Sequence, residues 1–393
     1  MKRKEFLVNS GLLATSAFAY PNYLFKKNNV NEVINIGVIG TGNRGKGLIK
    51  LIKNISNMDV IAICDILPFR INEALKLFDK KPKSYINYLS LLENNDLDAV
   101  IISTPLSSHS KISIDSVQAG KHVYCEKLMA KGFNGTVNLV KAVKDSKITF
   151  QTGHQYHSSR LYTNVVDLIR GGKIGKVIAF DSQWNRNKSW RRSVEDPNLE
   201  RQINWRLYRE YSFGLLAELS AHQIDFVNWV LDDNPIKVAG FGGIDFYKDG
   251  REVYDNIKVI YEYKGGVKAS YTCLSNNSKD GYKISIKGDL GSIDIYKDEA
   301  WFYSNINKVQ IEEIDGVSGA TKSWSGSQGQ KLDFKHLSPT KQALTDFRNC
   351  IKENKEPLSN VFTGANVSYA VEMGITAMDT GNIVKWDSKK YIN

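Results

Sequence analysis

Three residues of this sequence have types and spacing suited to proton chemistry: Lys127, His222 and Glu218. Glu126-Lys127 follows directly on the apolar run Lys121–Cys125. If that run is a strand of a parallel sheet, Lys127 stands at the carboxyl edge, where ligands of such folds bind. Farther along, Glu218, His222 and Asp225 fall at i, i+4 and i+7 of the apolar stretch 215–231, and so on one helix face. Three ionisable groups in such a stripe are costly unless paired or used. Histidine titrates near neutrality and can relay a proton. A carboxylate one turn earlier can orient its ring, and a lysine reaching from the sheet edge can polarise the same oxygen. The blander alternatives are a solvated lysine and an ion-paired helix face toward water. A metal site is disfavoured because no other ligand cluster accompanies these groups.

A proton relay at a secondary alcohol needs a hydride acceptor, and the front of the chain offers a place for one. Gly40-Thr41-Gly42-Asn43-Arg44-Gly45 fits GxGxxG, follows the apolar strand Ile34–Ile39 and opens a helix. The first glycine makes the tight turn and the second lets a pyrophosphate approach the backbone. The third lets the helix sit close to the sheet, with its N-terminus toward the phosphates. Asp65, twenty residues beyond Gly45, ends the next strand. Its carboxylate suits ribose hydroxyls and repels a 2′-phosphate, so NAD is expected ahead of NADP. For a sugar, Trp184, Trp190 and Trp205 offer stacking faces, and Arg186, Arg191, Arg192 and Arg206 offer donors to hydroxyls or a carboxylate. Packing and solvated charge are the equal alternative for each.

The elements that must position these groups change character along the chain. Strands expected at 34–39, 60–64, 99–103, 121–125 and 148–151 alternate with helical stretches, as in a parallel sheet covered on both faces. From about Val177 strands follow one another at 177–184, 237–242, 257–263, 267–273, 282–286 and 292–296. Several alternate apolar and polar residues, as an antiparallel sheet with one covered face does. Residues 304–340 read as a long polar loop and 340–380 as helices. The expected fold is α/β. A nucleotide-binding Rossmann domain spans 34–152. A second α/β domain, 153–393, is built on a large, mostly antiparallel open sheet and ends in helices.

Composition narrows the function classes. The net charge is +11 over 393 residues. Lys2, Arg3, Lys4, Lys26 and Lys27 against Glu5 place four of those charges at the front, and the rest is scattered. A nucleic-acid partner is not expected without a concentrated basic patch. Residues 1–27 read as an export signal: a basic start, the short apolar run Leu12–Ala19, and Ala17-Phe18-Ala19 as a small-x-small cleavage site. Arg3-Lys4-Glu5-Phe6-Leu7 resembles a twin-arginine signal with lysine in place of one arginine. A Sec signal or an uncleaved amphipathic start is the alternative. The run is too short for a stable membrane anchor, and the expected location is the periplasm. Cys64 and Cys125 end apolar runs and read as buried thiols.

Taken together the pieces resemble the Gfo/Idh/MocA family of oxidoreductases, over about residues 34–390. Its glycine-rich loop corresponds to Gly40–Gly45 and its strand-two acid to Asp65. Its Thr-Pro-x-x-x-His segment corresponds to Thr104-Pro105-Leu106-Ser107-Ser108-His109. Its Glu-Lys-Pro signature appears as Glu126-Lys127-Leu128, without the proline. Its Gly-His-Gln segment is Gly153-His154-Gln155, and its Asp-x-x-x-His helix appears with Glu218 and His222. The resemblance implies that Thr104, Pro105, His109, Glu126, Lys127 and Gln155 join the glycine loop around the cofactor. It implies that Lys127 and His222 flank the reacting carbinol. Tyr156, Trp205, Arg206 and Asp225 are the expected substrate contacts.

The implied activity is hydride transfer between a sugar or glycoside hydroxyl, C3 being one candidate, and nicotinamide. NAD is scarce outside the cytoplasm, so an exported enzyme of this kind would hold its cofactor tightly. Two alternatives stay open. One is an NAD-dependent redox glycosidase that oxidises C3 transiently and eliminates the glycosidic bond. The other, of a different class, is a non-catalytic NAD-bound sugar sensor, which would need neither Lys127 nor His222. A homo-oligomer is expected.

Overall fold

The computed structural model describes residues 33–305, 309–310, 324–325, 328–334 and 337–387. The expected export signal, residues 1–27, lies outside the described residues.

Six strands form the first sheet: β1 (Ile34–Ile39), β2 (Met58–Cys64), β3 (Lys83–Tyr85), β4 (Ala99–Ile102), β5 (His122–Cys125) and β6 (Phe150–Thr152). Their order is β3-β2-β1-β4-β5-β6, all parallel. β4 lies between β1 and β5 with all four residues buried, which is why it reads as an unbroken apolar run. Helices α1 (Asn43–Ile52), α2 (Pro68–Leu75), α3 (Tyr88–Leu92), α4 (His109–Gln118) and α5 (Phe133–Lys144) connect the strands. α1 buries Leu48, Ile49 and Ile52 completely. Each such side chain stabilises the fold by roughly 1.5–3 kcal/mol. Short β3 escapes a sequence reading because Lys83 and Ser84 are exposed and only Tyr85 is partly covered.

After α6 (Arg160–Arg170) the chain enters the second sheet. Its strands are β7 (Val177–Asn187), β8 (Lys237–Gly243), β9 (Asn256–Glu262), β10 (Lys268–Leu274), β11 (Asn276–Gly288), β12 (Gly291–Tyr296), β13 (Glu299–Ser304), β16 (Gln330–Leu332) and β17 (Val384–Lys385). The order is β16-β13-β12-β11-β7-β10-β9-β8-β17, and only β7 and β10 run parallel. A separate pair, β14 (Val309–Gln310) with β15 (Trp324–Ser325), falls in the segment expected to be loop. β11 is longer than its apolar core suggests because a bulge between Asn277 and Tyr282 carries the strand past its polar start. Between β7 and β8 lie α7 (Glu200–Ile203), a π-helical turn (Leu216–Ser220) and α8 (Ala221–Leu231).

The tail ties the two halves together. α9 (Pro339–Glu353) returns to the first sheet, where Leu344, Phe347 and Ile351 join its core and Phe347 meets Tyr124 edge-on at 5.8 Å. α10 (Val361–Thr380) contributes Val361 and Ala365 to the first sheet's core and Val367 to Met378 to the second's. Two glycines allow that passage. A Cβ on Gly364 would lie 2.4 Å from Thr152, and one on Gly374 would lie 2.3 Å from the Tyr261 hydroxyl.

Candidate active site

The glycine loop is shaped by contacts that admit no side chain. Gly40 has φ +91°, and a Cβ there would lie 2.8 Å from the Ser103 carbonyl. A Cβ on Gly45 would lie 2.0 Å from the Gly40 oxygen. The loop is braced from both sides. Ser103 Oγ donates to Gly40 O at 2.7 Å, and Thr41 N–H donates to Asp65 Oδ2 at 2.8 Å. The other Asp65 oxygen accepts from the Leu67 amide at 3.0 Å. No side chain caps the start of α1, and its first turn holds no acidic residue. Its free amides and its dipole therefore suit an anion. This cradle fits the pyrophosphate of a dinucleotide.

Beyond the loop opens a cavity of about 510 Å³ between the two sheets. It brings together Asn43, Arg44, Thr104, His109, Glu126, Lys127, Gln155, Trp205, Arg206, Glu218 and His222, residues drawn from segments far apart in sequence. Gly40, Thr41, Gly42, Gly45, Asp65 and Pro105 are not among its lining residues. Glu126 receives Arg44 Nε at 2.7 Å, which ties the loop to the residue beside Lys127. The sequence gives no hint of that pair.

Lys127 reaches across from the end of β5. Its Nζ donates to Ala217 O at 3.0 Å and to Glu218 O at 2.7 Å. Both carbonyls belong to the π-helical turn, whose wider winding leaves them available to an outside donor. Burial holds the Lys127 pKa below its ordinary value, with Arg206 and Arg44 adding to it against Glu218 and Glu126. The Lys127–Leu128 peptide is cis.

His222 is 7% exposed and its Nδ1 has no partner among the described residues. Burial first, then Lys127, His154 and Arg44, pushes its pKa well below the ordinary imidazole range, so the ring is neutral. His154 lies 6.0 Å away, ring to ring, and is itself pushed down to about 4 by burial. His109 differs. Its Nδ1 faces Leu128 O at 2.6 Å and its Nε2 faces Thr104 O at 2.8 Å. Only the doubly protonated ring donates to both. Burial opposes that charge, yet Cys125 and the two carbonyls raise the pKa to about 9.

Three expectations need correction. Glu218 does not orient His222. Its Oε2 accepts from Arg206 Nε and its Oε1 from Ser212 Oγ, both at 2.9 Å. Both side chains face the cavity, but the Glu218 carboxylate is taken by Arg206 and Ser212. Arg206 and Lys127 hold the Glu218 carboxyl below its usual range although burial pulls the other way. Asp225 does not line the cavity. It is 2% exposed and lies 3.0 Å from His157 Nε2, and His157 stacks on Trp229. Nor does Tyr156 line it. Its ring stacks on Tyr162 at 3.9 Å and forms a wall behind His222, 5.2 Å away.

The aromatic and arginine candidates divide. Trp190, Trp205, Arg186, Arg192 and Arg206 line the cavity. Trp184 lies 6.0 Å behind His222, and Arg191 is spent on Glu200 and Asp249. Sequence reasoning missed Ser103, Leu106, Asn204 and Leu219, which also line the cavity. It also missed Arg70, whose guanidinium would sit 3.9 Å from a Cβ on Gly42. None carries a motif, because their roles come from where the chain folds them.

Cys64 and Cys125 are buried free thiols, in line with their place at strand ends; Cys273 is buried as well, and Cys350 is partly covered. Among the described residues no helix is long and apolar enough to cross a membrane.

Comparison with known proteins agrees with this geometry. Residues 34–154 match the oxidoreductase family's NAD-binding Rossmann fold, and 166–386 match its C-terminal alpha/beta domain. The chain is 25% identical over 240 residues to an inositol 2-dehydrogenase/D-chiro-inositol 3-dehydrogenase of Lactiplantibacillus plantarum, a stretch covering 60% of this chain and 63% of that protein. It is 26% identical over 307 residues to a 2,7-anhydro-N-acetylneuraminate hydratase of Escherichia coli, covering 77% and 75%. The fold superposes on levoglucosan dehydrogenase in complex with NADH and levoglucosan, with TM-score 0.73, 19% identity and coverage of 91% and 100%. Since the two matches account for most of the described chain, on either side of the cavity, the protein belongs to the Gfo/Idh/MocA family of oxidoreductases.

Proposed function

We propose that this protein is an NAD-dependent oxidoreductase that moves a hydride between a secondary hydroxyl of a sugar or glycoside and a tightly held dinucleotide. The observation that carries the reading is that Lys127 and His222 line one cavity with Asn43 and Arg44 of the glycine loop. Relatives named as inositol dehydrogenases and a fold shared with levoglucosan dehydrogenase support a polyol or sugar as substrate.

Gly40–Gly45 and the start of α1 would hold the pyrophosphate, and Asp65 with the loop would meet the adenosine ribose. When bound, the nicotinamide supplies a hydride acceptor. The protein's own part is the proton. An alcohol becomes a ketone only if its hydroxyl proton leaves as the hydride does. Neutral His222 accepts it. Lys127, fixed on two carbonyls, turns its remaining hydrogen to the same oxygen and favours the charge that develops there. Glu218 keeps Arg206 at the cavity wall. Net oxidation is the simplest use of this pair, with the hydroxyl at C3 a candidate and redox glycoside cleavage the competing outcome.

A glycoside screen tests the reading, with reduced-nicotinamide absorbance and free-sugar release followed together. Absorbance without sugar release is the expected result. Sugar release without accumulated reduced cofactor points to the glycosidase. No turnover across glycosides, free sugars and polyols by dinucleotide-loaded protein defeats the proposal.

Cofactor choice is a second expectation. Asp65→Asn keeps an acceptor for the Thr41 amide but removes the charge, so discrimination against NADPH should fall by about tenfold while NADH still binds. Asp65→Ser should in addition weaken NADH, because the loop loses its brace. Fluorescence titration with both nucleotides decides. A wild type that prefers NADPH removes Asp65 from this role.

A further inference from the structure

The cavity is richer in cations than a neutral sugar requires. Arg44 is answered by Glu126 and Arg206 by Glu218. Lys127 is answered by two carbonyls. Arg186 and Arg192 also line the cavity, and neither has a carboxylate partner among the described residues.

The two are not equivalent. Arg192 has both Arg206 and Arg70 as charged neighbours, and Arg70 in turn approaches Gly42 of the glycine loop. Arg186 projects from the end of β7, half-buried, with Arg206 as its charged neighbour and the Trp190 ring 5.4 Å from its guanidinium. Burial and Arg206 push its pKa below the usual value, the mark of a cation that the folded chain does not compensate.

The segment that presents this corner is built, not loose. Trp190 has φ +68°, a left-handed conformation that bulky side chains rarely adopt and that needs support from its surroundings. The support is visible on each side. Lys188 N–H donates to Ser275 O at 2.8 Å, and Arg251 donates to Ser189 O at 3.2 Å. Asn204 exchanges hydrogen bonds of 2.8 and 3.0 Å with the Arg192 backbone. A partly desolvated guanidinium beside the ring of a braced Trp190, with no carboxylate partner among the described residues, suits a planar or tetrahedral oxyanion.

We propose that the substrate is an acidic sugar whose carboxylate or sulfate ester is received by Arg186 beside Trp190. This rests on the function proposed above, since it places the anion in the same cavity as Lys127 and His222.

The test uses dinucleotide-loaded full-length protein and three probes: a methyl glucoside, the corresponding methyl glucuronoside and the corresponding 6-sulfate. Tryptophan fluorescence reads binding and nicotinamide absorbance reads turnover. The expected result is a preference of roughly tenfold or more for an acidic probe over the neutral one, appearing in Kd and KM more than in kcat. Arg186→Gln should remove most of that preference, and Arg186→Lys should retain part of it. The uronoside and sulfate arms tell which oxyanion is meant. Equal binding of neutral and acidic probes, no binding of any probe, or an acid preference that survives Arg186→Gln overturns the inference. Turnover of the neutral probe without acid preference overturns it while leaving the oxidoreductase reading intact. Acid-selective binding with no turnover of any sugar does the reverse.

Discussion

Lys127→Met should lower turnover by about 10²–10⁴-fold while the dinucleotide stays bound, and His222→Ala should do the same. The methionine preserves the packed stem of the lysine but cannot donate to Ala217 O or Glu218 O, nor to a substrate oxygen. His222→Ala removes the neutral base. Both groups serve the same proton, so the double variant should be little worse than either single one. Stopped-flow turnover on a substrate the wild type uses, with bound nucleotide measured after denaturation, separates this from collapse of the site. Near-normal turnover by either variant ends the catalytic assignment. The charges predict a direction with pH as well. Lys127 is among the cations that depress the His222 pKa. Lys127→Met should therefore raise it, moving the His222 NMR titration to higher pH and bringing the acid limb of kcat/KM up with it.

The second large effect is expected at one glycine and absent from its neighbour. Gly45→Ala forces a methyl to 2.0 Å from the Gly40 oxygen, whereas a Cβ on Gly47, half a turn later in α1, meets nothing within 4 Å. Relieving the first clash means opening the loop or shifting the helix off the sheet, at about 1–3 kcal/mol. Dinucleotide affinity should fall by roughly ten- to a hundredfold. Gly47→Ala should instead stabilise the protein by about 0.5–1 kcal/mol, since alanine is the better helix former. Nucleotide titration and thermal melting of the pair read both effects. Equal behaviour of the two variants would show that the loop is not a tight cradle.

What was legible in the sequence follows a physical line. Gly40, Gly42, Gly45 and Asp65 announce themselves because backbone geometry at a nucleotide loop admits few residue types. Lys127 was legible because it follows a buried strand, and His222 because an ionisable group in an apolar helix demands a reason. The partners of Glu218 and Asp225 were not, because Arg206, Ser212 and His157 reach them from outside the helix. Partners from distant segments were equally hidden. Arg44 with Glu126 and His157 with Asp225 are joined only by the fold. The two sheets were readable from the change between alternating elements and successive strands, while β3, too short and too exposed, left no periodic trace.

The passage of α10 through both cores bears on how the protein comes apart. Its first turns are packed in the nucleotide half and its later turns in the other, while α9 is committed to the first. Neither half can shed its partner without exposing apolar surface of its own. Melting is therefore expected as a single cooperative event in calorimetry, with matching calorimetric and van't Hoff enthalpies, in place of two independent steps.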